Sequence, residues 1–94
     1  MQKSYYIYML TNHTNEVLYT GATNNLFAHL LQHKNNQTDS FTKKYKCYKL
    51  VYFEEYSRIG EVIEREKQIK KWSRKKKNVL VNSSNADWSD LSRD

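Results

Sequence analysis

Two runs of aromatic and branched apolar residues, separated by a cluster of turn-forming residues, constrain the fold more than any other feature of this chain. Tyr5–Leu10 and Val17–Ala22 are both typical of β-strands. The segment between them contains Asn12-His13-Thr14-Asn15, residue types that favour a turn. The pattern therefore predicts an antiparallel hairpin. Gly21, near the end of the second strand, permits a bend or a close approach of another group to the backbone.

The rest of the chain alternates between helical and extended patterns. In the first half we predict a helix over Asn25–Lys34, a polar loop over Asn35–Ser40 and a basic and aromatic connection over Phe41–Lys46. A third strand follows over Tyr48–Glu55, then a helix over Ile59–Trp72 and a helix that resumes through Val79–Val81. The apolar stripe of the helix over Ile59–Trp72 consists of Val62, Ile63, Ile69 and Trp72. The order β-β-α-β-α-α indicates the α/β (α+β) class, with a small mixed three-stranded sheet flanked by helices.

Length and composition narrow the class of protein. At 94 residues the chain has room for one domain, which we expect over 1–82, with a tail over 83–94 docked through Trp88 and Leu91. Lys and Arg outnumber Asp and Glu by 16 to 10, a charge of +6 that favours anionic partners. Cys47 is the sole cysteine, which excludes a disulfide framework. No apolar run approaches the ~20 residues of a membrane span, so we expect a cytoplasmic protein without a membrane partner.

Glu66 is unusual because it lies on the predicted apolar stripe, three residues after Ile63 and three before Ile69. A carboxylate in such a position is costly unless it is paired or binds a metal. Two interpretations remain open from position alone. Either Glu66 lies at the edge of the stripe and pairs with a lysine, or it has a function.

Tyr8 and Tyr19 lie on the two strands of the predicted hairpin and can face each other across it. Ordinary cross-strand aromatic packing would explain such a pair. A catalytic role requires more, because a phenol with a pKa near ~10 acts as a base only where a metal or another cation favours the phenolate.

Basic residues are concentrated in one segment. Between Arg65 and Lys77 there are eight basic residues against one acid, and Lys43, Lys44 and Lys46 form a second patch among aromatic residues. Basic side chains interleaved with aromatic ones suit a phosphate backbone with stacked bases. A basic helix that is merely solvated remains the alternative.

His29 and His33 are spaced i, i+4 on the first predicted helix and therefore share a face. This spacing can hold zinc. No cysteine and no third histidine stands out as a further ligand, which disfavours a zinc site.

Together these features resemble the GIY-YIG nuclease superfamily. Its first motif is matched by Tyr6-Ile7-Tyr8 and its second by Tyr19-Thr20-Gly21, and the helix that opens with Asn25-Leu26 also fits. Within the superfamily the chain is similar to the small single-domain bacterial UPF0213 group. That similarity extends over four further runs, namely Phe41–Tyr45, Lys49–Glu54, Arg65–Trp72 and Asn85–Leu91.

The resemblance implies roles for three positions. Tyr19 corresponds to the tyrosine taken as general base toward the attacking water, and Tyr8 to the tyrosine that supports it by hydrogen bonding. Glu66 corresponds to the single carboxylate that holds one divalent ion, usually Mg²⁺ or Mn²⁺. One carboxylate suffices because Mg²⁺ keeps several waters and takes further oxygen ligands from the substrate phosphate.

One catalytic position departs from the superfamily. Where the superfamily has an arginine, this chain has His29. An arginine holds the scissile phosphate with a permanent charge and a fork of donors, whereas histidine is mostly uncharged at neutral pH. Losing such a donor costs on the order of 10²–10³ in rate. The residues expected to contact nucleic acid are His33, Lys43, Lys44, Lys67, Lys70, Lys71 and Arg74.

Three functional hypotheses follow. The first is a metal-dependent endonuclease that hydrolyses phosphodiester bonds in nucleic acid, with DNA preferred over RNA, and that is weak because of His29. The second is a non-catalytic nucleic-acid-binding module on the same fold. The third is a protein-interaction domain with a structural basic helix. With little room for a targeting domain, we expect either low specificity or a partner protein that supplies it.

Overall fold

A computed structural model describes residues 3–34 and 40–92, without the side chains of His33, Lys34 and Ser40. Its elements are β1 (Tyr5–Thr11), β2 (Leu18–Thr23), α1 (Leu26–Lys34), α2 (Ser40–Tyr45), β3 (Lys49–Tyr56), α3 (Ile59–Lys70) and α4 (Arg74–Ser84). Among the described residues, no helix has the length and apolar character needed to cross a membrane.

The sheet has three strands in the order β2-β1-β3, so the first strand lies in the centre. Both pairings are antiparallel, with Tyr8 opposite Gly21 on β2 and opposite Phe53 on β3. The predicted α/β class is confirmed, but the sheet is antiparallel throughout where a mixed one was expected. The reason is that the segment containing α1 and α2 returns along the full length of the sheet before β3 begins, so β3 runs opposite to β1.

Alternate residues of β1 point to opposite faces of the sheet, because the side-chain period of a strand is two. Ile7 and Met9 pack in a buried cluster with Val62 and Ile69 of α3 and with Val81 of α4. The alternate residues Tyr8 and Leu10 point to the other face. There they form a second buried cluster with Leu30, Cys47 and Leu50. The sheet is thus covered by α3 and α4 on one side and by α1 on the other.

The buried stripe of α3 is narrower than the sequence suggested. Val62 and Ile69 are buried, but Ile63 is 44% exposed, which corrects the prediction that it faces the core. Residues 62 and 69 are two helical turns apart and share one direction, whereas residue 63 is rotated from it by ~100°. Glu66 is half-buried, at the edge of this stripe.

Two helices differ from the predicted elements. The connection predicted over Phe41–Lys46 is the short helix α2, and α4 begins at Arg74 instead of resuming near Val79. Ser73 explains the second difference, because its side chain caps α4 by accepting a hydrogen bond from the backbone N–H of Lys76 at 3.1 Å. Of the loop predicted over Asn35–Ser40, residues 35–39 lie outside the described part of the chain, and Ser40 belongs to α2.

The C-terminal segment covers the start of the outer edge of β3. Asn85, at the end of α4, is buried and donates from Nδ2 to the Val51 carbonyl at 3.1 Å. Further along, the backbone N–H of Leu91 donates to the Leu50 carbonyl at 2.7 Å, and Trp88 packs against the cluster under α3 and α4. An uncovered edge strand invites pairing with other chains, so these contacts also protect the sheet. Helix α4 runs from 74 to 84 and therefore continues past residue 82. The boundary between domain and tail at that residue stays a prediction.

Candidate active site and nucleic-acid interface

Tyr8 is 1% exposed and lies against the backbone of the neighbouring strand. Its partner across the hairpin is Gly21. A β-carbon built on Gly21 would lie 2.5 Å from the Tyr8 phenol oxygen and 2.6 Å from Cζ, closer than real contacts allow. Only glycine therefore leaves room for the Tyr8 ring at this position.

Tyr19 lies on the same face of the hairpin as Tyr8, but two residue pairs further along. Its direct partner is Leu10, so the two tyrosines are diagonal neighbours and not the facing pair that the sequence suggested. Their ring centroids are 6.2 Å apart with a tilt of 40°. Unlike Tyr8, Tyr19 is only half-buried.

Phe41 of α2 extends this group of rings, a contact that the sequence did not reveal. Its centroid lies 5.8 Å from that of Tyr19 and 4.8 Å from that of Tyr45. Sequence reasoning treated this stretch as a connection, and only the helical spacing of Phe41 and Tyr45 at i, i+4 would have indicated a shared face. Helix α2 therefore forms one wall of the candidate site.

His29 reaches the tyrosines from α1. Its ring centroid is 5.2 Å from that of Tyr8. The helix is positioned by Asn25, whose Oδ1 accepts a hydrogen bond from the backbone N–H of Ala28 at 3.1 Å, as expected for a cap. Burial lowers the pKa of His29 from its ordinary value of 6.5, because a low-dielectric surrounding disfavours the charged form. His29 is therefore neutral at neutral pH.

Glu66 lies in the other layer of the fold. It lies on α3, whose buried residues Val62 and Ile69 pack against the face of the sheet opposite Tyr8. Its Oε2 is 3.3 Å from the Lys70 ammonium one turn later, and its side chain is 27% exposed. This is the lysine pairing that the sequence left open as the simpler explanation. The structure brings Tyr8, Tyr19 and His29 together, and it places Glu66 on a separate helix.

A zinc site at the i, i+4 histidines would need further ligand side chains close to them. Among the described residues, no group of three or more His, Cys, Asp or Glu side chains is arranged to hold a metal ion. The side chain of His33, which was also expected to contact phosphate, lies outside the described part of the chain.

Arg74 was expected on the nucleic-acid surface, but its guanidinium is used within the fold. Nη1 and Nη2 donate to the carbonyls of Glu16 and Asn15 at 2.8 and 2.7 Å. Nε donates to Asn78 at 2.8 Å, and the group lies 5.8 Å from the centre of the Trp88 ring. Arg74 thus joins α4 to the turn of the hairpin.

The other expected nucleic-acid contacts differ in how free they are. Lys43 and Lys44 are exposed on α2, with the Lys44 ammonium 5.3 Å from the centre of the Tyr45 ring. Lys67 and Lys71 are exposed near the end of α3, and Lys70 is the residue that pairs with Glu66. Two exposed basic groups, on α2 and on α3, therefore remain available to phosphates.

A polar cluster around Glu54 was missed from the sequence. The carboxylate of Glu54 accepts hydrogen bonds from the phenols of Tyr52 and Tyr56 and from Arg65, with Arg65 Nη2 at 2.9 Å. Burial alone would raise the pKa of Glu54, but the hydrogen bonds from Arg65, Tyr52 and Tyr56 outweigh it and the pKa is lowered. The period-two spacing of Tyr52, Glu54 and Tyr56 was the available signal. Arg65 belongs to the basic run between Arg65 and Lys77, but its positive charge is balanced by the carboxylate of Glu54.

Known proteins match most of the length of this chain. Residues 4–78 match the GIY-YIG catalytic domain family. A UPF0213 protein of Clostridium perfringens is 40% identical over 78 residues, which is 83% of both chains. A UPF0213 protein of Syntrophus aciditrophicus is 36% identical over 77 residues, covering 81% of this chain and 87% of the relative.

A solved structure shows the same fold. The solution NMR structure of a UPF0213 protein from Bacillus halodurans matches with a TM-score of 0.60 at 22% identity, over 95% of this chain and 94% of that one. A GIY-YIG domain indicates a nuclease-type function and binding to nucleic acid. From the family match over most of its length and from these relatives, the chain belongs to the GIY-YIG family.

Proposed function

We propose that this protein is a metal-dependent phosphodiesterase that cleaves nucleic acid, with DNA preferred over RNA, in the cytoplasm. The observation that carries the proposal is the group of three rings on one face of the sheet, Tyr8, Tyr19 and His29. The ring centroid of Tyr19 lies 6.2 Å from that of Tyr8, and the ring centroid of His29 lies 5.2 Å from it. The site is preorganised, since Tyr8 is held against Gly21 and α1 is capped at Asn25.

The two tyrosines differ in burial, and this supports different roles. Tyr19 is half-buried and, as the phenolate, can take a proton from a water molecule that attacks the phosphorus atom. Tyr8 is buried and supports the site by hydrogen bonding from a fixed position. An isolated phenol with a pKa near ~10 is a poor base at neutral pH, so the role of Tyr19 needs a cation close to the bound phosphate.

Glu66 is the residue that would hold the divalent ion. Its carboxylate supplies oxygen ligands, which suit Mg²⁺ or Mn²⁺, and its side chain is 27% exposed, which leaves space for water and substrate ligands. The donor chemistry fits, provided that Lys70 gives up its contact with Oε2. When bound, such an ion stabilises negative charge on the phosphate and leaving oxygen and favours deprotonation of water.

His29 replaces a permanently charged group by a neutral donor. At neutral pH it can donate one hydrogen bond to a phosphate oxygen, and it gains a positive charge only below its lowered pKa. We therefore expect slow turnover at neutral pH and faster turnover at acid pH.

The exposed lysines on α2 and α3 supply affinity for the phosphate backbone. Lys43, Lys44, Lys67 and Lys71 carry exposed side chains. Contacts of this kind release counterions, so binding should weaken steeply with salt and should depend little on sequence. A partner protein would then supply any sequence or structure specificity.

A non-catalytic nucleic-acid-binding module is the second candidate. Two features favour it, namely the burial of His29, which lowers its pKa, and the ion pair that already engages Glu66. It predicts the same salt-dependent binding but no turnover.

A cleavage assay on plasmid and single-stranded substrates with Mg²⁺ and with Mn²⁺ separates the two candidates. The native chain should cleave slowly. Tyr19→Phe should abolish cleavage because it removes the hydroxyl group that acts as the base, while it keeps the ring. Tyr5→Phe makes the same chemical change at a ring that packs on the opposite face of the sheet, and it serves as the matched control. Binding without cleavage by the native chain, together with cleavage by His29→Arg, would overturn the proposal in favour of the binding module.

A further inference from the structure

A groove on the α1 side of the sheet has no role in the proposed chemistry. It lies between α1, β3 and the C-terminal segment and has a volume of about 600 Å³. Three of its lining side chains are apolar and exposed, with Phe27 at 74%, Phe53 at 45% and Leu91 at 41%. Converging apolar side chains of this kind, rimmed by polar residues, commonly mark a binding site.

The groove and the candidate active site flank α1 on the same face of the sheet, with Phe27 on the groove side and His29 on the other side. Phe53 is the direct strand partner of Tyr8, so both side chains project from the same face of the sheet. Adjacent strands are ~4.8 Å apart, which places the two residues about one strand spacing from each other. Leu30 joins the two regions, because it packs in the buried cluster of Tyr8 and also lines the groove.

The chemistry of the groove differs from that of the lysine-bearing helices. None of the described residues that line it is charged. Phe27 and Phe53 offer aromatic surface, and the exposed amide of Asn24 at the rim can both donate and accept hydrogen bonds. A phosphate would find no positive charge here, whereas a flat, uncharged heteroaromatic ring would find stacking partners and an amide.

We propose that this groove binds an unpaired nucleobase of the strand whose phosphate is bound at Tyr19 and His29. The inference rests on the proposed function and adds a substrate class, namely nucleic acid that is single-stranded or has an extruded nucleotide at the cleavage position. A paired base inside a duplex stays stacked between its neighbours and cannot enter the groove without extrusion.

Fluorescence anisotropy with the full chain tests this proposal. The probes are a labelled 12-nucleotide single strand, a duplex of the same length, and a single strand of the same length built from abasic nucleotides, which keeps the phosphates and removes the bases. We expect the intact single strand to bind about tenfold more tightly than the abasic one, since aromatic stacking of one base contributes about a factor of ten or more. Phe27→Ala should remove most of that difference and leave duplex binding unchanged.

Val79→Ala is the matched control. It also truncates an exposed apolar residue, 63% accessible, but on α4 and outside the groove. A second measurement, an NMR titration with the uncharged nucleoside adenosine, should shift the amide signals of Phe27, Phe53 and Leu91. This measurement involves no phosphate and no cleavage, so it examines the groove independently of the proposed function.

The outcomes separate the two proposals. Equal affinity for the intact and abasic strands, or no effect of Phe27→Ala, overturns the nucleobase groove while salt-dependent binding of the duplex still supports the proposed function. Absence of binding to all three probes overturns both. A dimer in sedimentation equilibrium that Phe27→Ala dissociates would assign the groove to a second copy of the chain.

Discussion

The phenol of Tyr8 occupies the space in which a side chain at residue 21 would begin, since a β-carbon on Gly21 would lie 2.5 Å from its oxygen. The middle of the hairpin thus has no tolerance for a methyl group beside the candidate catalytic ring. In contrast, a β-carbon on Gly60 of α3 would meet no atom within 4 Å. The two glycines therefore have opposite expected responses to alanine.

Gly21→Ala should lower the free energy of unfolding by ~1–3 kcal/mol, the usual cost of overpacking, and should displace the Tyr8 ring. Gly60→Ala should raise it by up to ~1 kcal/mol, since alanine loses less backbone entropy in a helix. Urea denaturation of both variants gives the comparison. A Gly21→Ala protein as stable as the native chain would contradict the close approach.

Glu54→Gln should destabilise the protein by ~2–3 kcal/mol at pH 7, because the partly buried Arg65 then loses its charged partner. The folded-state pKa of Glu54 lies below its ordinary value of 4.5. Its stabilisation is therefore complete above pH ~4.5 and is lost as pH falls through the folded-state value. Denaturation at several pH values should show the native and variant chains converging in acid. A difference that is independent of pH would count against the ion pair.

The His29 pKa, followed by NMR, should lie below 6.5, since burial disfavours the imidazolium. The folded state then binds fewer protons than the unfolded state. The contribution of His29 to stability is therefore present above pH ~6.5 and declines as pH falls below it. A measured pKa above 6.5 would show that a neighbouring negative charge outweighs burial.

His29→Arg should increase cleavage at pH 7 by roughly 10²–10³-fold, since it places a permanent charge and a fork of donors beside the bound phosphate. In the native chain, cleavage should rise as pH falls through the lowered pKa of His29, whereas the variant should lose that acid-side increase. Rates of plasmid nicking between pH 5 and 8 provide the test. Identical pH profiles would remove His29 from the mechanism.

Arg74→Ala and Lys71→Ala should have different effects although both residues belong to one basic run. The arginine donates to Asn15, Glu16 and Asn78, so its loss should cost ~1–2 kcal/mol of stability. The lysine is exposed, so its loss should leave stability unchanged, weaken binding across all sequences and reduce the salt slope by about one. Unchanged stability of the Arg74→Ala protein would return that residue to the binding surface.

Much of the fold was predictable because its signals are local. The aromatic strand Tyr5–Thr11, the turn after it and the helix capped at Asn25 are determined by residues a few positions apart. The family motifs are also contiguous, so the sequence located Tyr8 and Tyr19 before any coordinates. Period and capping chemistry act over one or two turns, and a pattern reports them directly.

The remaining features depend on contacts between segments that are distant in the chain. Arg65 forms an ion pair with Glu54, so its charge is not available to a phosphate. Arg74 donates hydrogen bonds to the hairpin turn, nearly sixty positions away in the chain. Which side of α3 is buried, and therefore the exposure of Ile63, depends on how that helix is rotated against the sheet. Local sequence patterns were enough to identify the candidate residues of the site. Tertiary packing decided their charge and exposure, because desolvation and pairing are properties of the assembled neighbours and not of the local pattern.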